Sequence, residues 1–180
     1  MIHPQQKIKN SHAQVIVIGG TDSSGGSGLK TDIKSLTSLG VETLPIVSAV
    51  TAQSHRQVIS ITATSPQALR EQLQGCQASW IKRPVIKTGM LPNRKVMQEI
   101  LQFKQQYQNV LICDPILLSS SGKFLMVESD VKYFCEKFIP KVDLLTPNLP
   151  EAFALVGKKF HPTPSFAQIK SLVEDLHRMG

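Results

Sequence analysis

The sequence predicts an α/β domain built on a mostly parallel central sheet with helices on both faces. Three observations carry that prediction. Short apolar runs rich in β-branched residues alternate along the chain with stretches whose apolar residues recur every three or four positions. The runs are continuously apolar rather than alternating, as strands buried on both faces are. The joints between them carry glycine, proline and asparagine capping signals.

Residues 1–14 are polar and read as an N-terminal tail, which leaves residues 15–180 as one α/β domain. The first strand, residues 15–18, runs into Gly19-Gly20 and a glycine-rich stretch ending at Gly28. A helix bearing Leu29, Ile33, Leu36 and Leu39 follows, with Gly40 at its C-terminal cap. Residues 41–50 form a second strand ending in Thr51-Ala52-Gln53. Pro66 opens a helix to about residue 77, and residues 85–86 make a short strand ending at Lys87-Thr88-Gly89-Met90. Asn93 caps a helix carrying Val96, Ile100 and Phe103, and residues 110–113 form a strand that ends at Asp114-Pro115. A helix over 128–138, a strand over 142–145, a helix from the Asn148 cap and a last helix over 166–179 complete the pattern. In that last helix Ile169, Leu172, Val173 and Leu176 share one face.

Composition excludes several classes. Hydrophobic residues make up 41% of the 180, as in an ordinary globular domain, and no apolar stretch approaches the length of a membrane span. Residues 1–14 resemble neither a signal peptide nor an anchor, so the expected location is the cytoplasm, with no membrane partner. The net charge of +7 is scattered in pairs such as Lys82-Arg83 and Lys158-Lys159 without interleaved aromatics. That is a solvated basic surface rather than a nucleic-acid stripe, although it favours the approach of anionic substrates. Cys76, Cys113 and Cys135 lack metal-ligand spacing, and Cys113 reads as a small buried strand residue.

The glycine-rich stretch is the first sign of a ligand. Backbone N–H groups and a helix start favour anions or polar ligand atoms there. It is neither a P-loop, because Leu29-Lys30-Thr31 follows the last glycine, nor a dinucleotide fingerprint, because Thr31 stands where glycine or alanine is needed. In parallel sheets ligands bind beyond the carboxyl ends of the strands, and Gly20, Gln53, Met90 and Asp114 each follow one. Asp32 lies four residues after Gly28 and can aim a carboxylate at a polar ring; its plain alternative is an ordinary exposed helix residue. Gln53 offers an amide for a heterocycle edge and Met90 a soft apolar face, or each is a loop end or core filler. Asp114 and Glu151 supply the oxygen ligands that water-coordinated Mg²⁺ prefers. Glu151 is equally the third helical residue of a capping box on Asn148.

Five motifs taken together resemble a family. They are Gly20-Thr21-Asp22-Ser23-Ser24-Gly25-Gly26-Ser27-Gly28 with Asp32-Ile33-Lys34; Thr51-Ala52-Gln53; Lys87-Thr88-Gly89-Met90-Leu91; Asp114-Pro115; and Thr146-Pro147-Asn148-Leu149-Pro150-Glu151-Ala152. In this order they resemble the hydroxymethylpyrimidine/phosphomethylpyrimidine kinases of thiamine biosynthesis, within the ribokinase-like superfamily. The resemblance implies a ribokinase-like fold and a kinase that uses ATP and Mg²⁺. Its acceptor is 4-amino-5-hydroxymethyl-2-methylpyrimidine, and then the monophosphate of that alcohol. By motif match Gly20, Asp32, Gln53 and Met90 contact the pyrimidine, Asp114 and Glu151 organise Mg²⁺, and Asn148 lies near the ATP phosphates.

The family pattern goes on to a Lys-Gly-Gly-His-like segment and a Gly-Thr-Gly-Cys loop that forms the anion hole and supplies the catalytic base. The 180 residues contain neither, so the domain is expected to be C-terminally truncated, no catalytic residue is assigned, and the isolated chain is expected to be a poor kinase. Smaller departures are Ser119-Ser120-Ser121-Gly122, where relatives carry a lysine before Ser-Gly, and His55. Three readings stay open: a hydroxymethylpyrimidine kinase, a related vitamin B6 kinase, and a pyrimidine-binding module without phosphoryl transfer. Gln53 with Met90 argues for the pyrimidine. Relatives of this fold are often dimers, and an exposed sheet edge favours association, so a homodimer is also open.

Overall fold

The computed structural model describes residues 13–54, 57–117 and 125–180; most of the expected tail, His55 and the 119–122 segment lie outside them. The described residues form a six-stranded sheet in the order β3-β2-β1-β4-β5-β6. Its strands are β1 (Gln14–Asp22), β2 (Glu42–Gln53), β3 (Val58–Ala63), β4 (Val85–Thr88), β5 (Leu111–Cys113) and β6 (Leu144–Leu145). All neighbours pair in parallel except β3, which runs antiparallel to β2. The chain moves outward from β1 through β2 to β3, then returns to the other side of β1 and moves outward again from β4 to β6. The reversal lies between β1 and β4, and a crevice opens at the carboxyl ends of strands flanking such a switch.

Among the described residues six α-helices accompany the sheet: α1 (Gly28–Ser38), α2 (Pro66–Gln77), α3 (Arg94–Tyr107), α4 (Glu128–Tyr133), α5 (Leu149–Leu155) and α6 (Phe166–His177). The starts at Asn93 and Asn148 follow the sequence signals, and two serine caps add to them. Ser65 accepts from the Ala68 N–H and Asn93 from the Val96 N–H, while Asn148 and Ser165 each form a complete capping box. The core beneath them joins Ile16 and Ile18 of β1, Ile86 of β4, Leu111 of β5, Ile100 of α3 and Phe138. Each such side chain contributes about 1.5–3 kcal/mol by leaving water. A smaller cluster, Ala152, Phe153 and Leu172, joins α5 to α6.

Several expectations change. The first strand does not stop before the glycines but runs through Asp22, so Gly20 is a strand residue rather than a loop residue. β3 was not anticipated; it is an edge strand with Ile59 exposed, so it lacks the buried apolar face that marks a central strand. The helix expected over 128–138 has that extent, but after Tyr133 it widens into a π-helical turn, Phe134–Phe138, and tightens into a 3₁₀ turn, Ile139–Lys141, at Pro140. On α6 Leu172 is buried whereas Val173 is exposed, which narrows the expected apolar face. No described helix is long and apolar enough to cross a membrane.

Candidate functional site

A cavity of about 430 Å³ opens beyond the carboxyl ends of β1, β4 and β5, at the switch point. All seven residues singled out by the sequence line it: Gly20, Asp32, Gln53 and Met90, together with Asp114, Asn148 and Glu151. They come from β1, α1, β2, the turns after β4 and β5, and the start of α5. Parallel pairing is what brings such distant segments to one rim.

The glycine-rich loop has a different job from the one its composition suggests. Asp22, the last residue of β1, folds its carboxylate back over the loop. Its Oδ1 accepts from the Ser24 N–H and hydroxyl at 2.8 and 2.6 Å. Its Oδ2 accepts from the N–H groups of Gly26 and Ser27 at 3.1 and 2.8 Å and from the Ser27 hydroxyl at 2.8 Å. Burial would raise this carboxyl, but the bonds from Ser24 and Ser27 prevail and bring it down to about 2. The N–H groups expected to meet an external anion are therefore filled from within the chain. Gly28 then starts α1 at φ +65°, where a β-carbon would lie 2.5 Å from the Gly20 carbonyl oxygen.

The apolar wall is set by a strand irregularity. The β1–β2 register slips between Gly19 and Gly20, which pair with Val47 and Ala49, so Ser48 falls between them. Fully buried Ser48 donates its hydroxyl to the Met90 carbonyl at 2.7 Å, fixing the turn after β4. Met90 in turn packs against Gly20: a β-carbon at position 20 would come within 3.1 Å of Met90 Sδ. On the other wall, the Ser23 hydroxyl donates to the Gln53 carbonyl and accepts from the Gln53 N–H, both at 2.7 Å, and ties the loop to the end of β2.

Charge concentrates at the centre of the rim. Lys87 Nζ lies 2.8 Å from Asp32 Oδ2 and 3.5 Å from Asp114 Oδ2, bridging α1 to the segment after β5. Beyond Asp114, Glu151 accepts from the Asn148 N–H at 2.9 Å while Asn148 Oδ1 accepts from the Glu151 N–H at 2.9 Å, so the capping box is real. Burial pushes the Glu151 carboxyl above its ordinary value; the Asn148 N–H opposes this and the charge of Asp114 adds to it. No described cluster of three or more His, Cys, Asp or Glu side chains makes a closed metal cage. Two carboxylates with an open remainder suit Mg²⁺ instead, which keeps waters and shares phosphate oxygens. The donor set fits that ion.

Two residues that shape the site were not singled out by sequence. Asp22 carries a signal, an aspartate followed by serines two and five positions on, the pattern of a side chain that binds its own loop. Lys87 carries another, a lysine inside a central parallel strand where apolar residues are the rule. Cys113 is buried and its thiol is pushed up to about 12 by burial, which agrees with a packing role and not with a nucleophile.

Comparison with known proteins agrees with this architecture. The family model for phosphomethylpyrimidine kinase matches residues 22–180. The chain is 34% identical over 169 residues to the thiamine biosynthetic bifunctional enzyme TH1 of Arabidopsis thaliana, covering 93% of this chain and 32% of that protein. It is 32% identical over 168 residues to the hydroxymethylpyrimidine/phosphomethylpyrimidine kinase of Bacillus subtilis, covering 93% of this chain and 60% of that one. It thus spans less than two thirds of the length of these curated relatives. The crystal structure of phosphomethylpyrimidine kinase from Clostridium difficile superposes with a TM-score of 0.81 at 27% identity, covering 93% of this chain and 71% of that one. Bacillus subtilis pyridoxal kinase shares the fold, with a TM-score of 0.79 at 22% identity over 94% of this chain and 62% of that one. With a ribokinase-like sheet, its switch-point cavity and a family match over most of its length, this chain belongs to the phosphomethylpyrimidine kinase family.

Proposed function

We propose that this chain serves the ATP-dependent phosphorylation of 4-amino-5-hydroxymethyl-2-methylpyrimidine, and then of its monophosphate, in thiamine biosynthesis. The observation that supports this reading best is the meeting of seven motif residues in one cavity of about 430 Å³, a size suited to a small ring. In this reading Asp32 and Gln53 hydrogen-bond the polar edge of the pyrimidine, Met90 packs on its face, and Gly20 leaves room for it. Asp114 and Glu151 hold Mg²⁺, and Asn148 lies beside the nucleotide phosphates. The ion, when bound, neutralises charge on the phosphate oxygens. Nucleotide use gains support from solved relatives of the same fold: the Staphylococcus aureus pyridoxal kinase is described in complex with AMP-PCP and pyridoxal. The proposed setting is the cytoplasm, where free thiols such as Cys76, Cys113 and Cys135 stay reduced.

Calorimetric titration of the purified chain with the hydroxymethylpyrimidine, with and without Mg·ATP, followed by assay of the phosphorylated product, tests the reading. Asp32→Ala and Gln53→Ala are each expected to weaken pyrimidine binding about tenfold, about 1.4 kcal/mol. Binding with turnover supports the kinase. Binding without turnover leaves a pyrimidine-binding module. Absence of binding to a folded chain, or preference for pyridoxal, overturns the proposal.

A further inference from the structure

We infer that Lys87 receives the phosphate of a phosphorylated acceptor, and so decides whether the site accepts the phosphomonoester as well as the alcohol. The inference rests on the kinase reading above. Lys87 is the one lysine or arginine among the described residues lining the cavity, against four carboxylates, Asp22, Asp32, Asp114 and Glu151. A neutral alcohol can enter such a site without compensation. A phosphate dianion cannot, because like charges repel strongly at a partly desolvated rim.

The glycine loop does not supply that compensation, since Asp22 already fills the N–H groups of Ser24, Gly26 and Ser27. Lys87 stands between the proposed pyrimidine end, marked by Asp32, and the proposed metal end, marked by Asp114. The acceptor's substituent has to lie between those two ends. An ammonium has three N–H donors, and its two carboxylate contacts use two of them, the one to Asp114 at a stretched 3.5 Å. The group is also sheltered, with its side chain 22% exposed, so its bond to a phosphate oxygen is charge-assisted and incompletely screened.

The test measures binding of the alcohol, its monophosphate and the nucleotide analogue AMP-PCP by calorimetry to wild type, Lys87→Met and Lys87→Arg. Lys87→Gln replaces the Met variant if thermal melting shows that variant unfolded. The expected result is a loss of tenfold or more, about 1.4 kcal/mol or greater, for the monophosphate in Lys87→Met. The alcohol should change by less than about threefold, and Lys87→Arg should recover most of the loss because it keeps the charge. Equal losses for alcohol and monophosphate would reduce Lys87 to a scaffold for Asp32 and overturn the inference while leaving the kinase reading intact. A loss confined to AMP-PCP would assign Lys87 to the nucleotide and also overturn it. If wild type binds neither pyrimidine, the kinase reading itself falls and this inference with it.

Discussion

Asp22 and Glu151 line the same cavity, and their surroundings move them in opposite directions. Hydrogen bonds hold Asp22 at about 2 against an ordinary value of 3.8, so its contribution to stability is present above 3.8 and is lost as pH falls through about 2. Burial raises Glu151 above its ordinary 4.5, so its contribution is present below 4.5 and is lost as pH rises through the raised value. Thermal melts from acid to neutral pH separate the two. Asp22→Asn is expected to lower stability at neutral pH by about 1–2 kcal/mol, the scale of lost charge-assisted bonds, and to flatten the acid limb. Glu151→Gln keeps a capping partner for Asn148, so it should match wild type in acid and gain on it toward neutrality. Parallel pH curves for wild type and both variants would refute these assignments.

At the scale of the element, glycine has opposite meanings in two helices. Gly28 begins α1 at φ +65° with the Gly20 carbonyl where its β-carbon would go, whereas Gly75 sits inside α2 with nothing within 4 Å of that position. Gly28→Ala is expected to cost about 1–3 kcal/mol in strain. Gly75→Ala should stabilise by about 0.5–1 kcal/mol, because it only restrains the unfolded chain and improves helix propensity. Denaturant titration of both variants checks the pair, and equal effects of one sign would count against the described backbone. Elements were legible where a local signal decides them: Pro66 marks a helix start by its fixed backbone angle, and Asn93 and Asn148 do so through side-chain bonds that span three residues. They were not legible where distant partners decide. β1 continues through Gly20 because β2 is there to pair with it, and β3 exists because β2 offers an edge. The candidate site follows the same division. Gly20, Gln53, Met90 and Asp114 stood out because strand ends are local features, and Asp32, Asn148 and Glu151 because they belong to short motifs, whereas the Lys87 bridge between Asp32 and Asp114 depends on parallel register that no single segment records.

At the scale of the sheet, the strand order puts the cavity at its centre and makes β3 and β6 the edges among the described residues. The two edges differ. β3 has exposed Ile59, but its Val58 and Ile61 belong to the cavity wall. β6 is only two residues long, with Leu144 52% exposed, and it adjoins a groove of about 460 Å³ lined by Leu145, Ile169, Leu172 and Leu176. Val173 on α6, itself exposed, also lines it. An unpaired strand beside an apolar groove is a template for another chain, and a lysine on the edge blunts it. Leu144→Lys is therefore expected to reduce concentration-dependent self-association in sedimentation velocity. Its effect on stability should stay within about 0.5 kcal/mol, because the side chain is already half in water. Ile59→Lys provides the comparison at the opposite edge. If Ile59→Lys disperses the protein and Leu144→Lys does not, association runs through β3, against the wall of the cavity, and ligand binding should then depend on protein concentration.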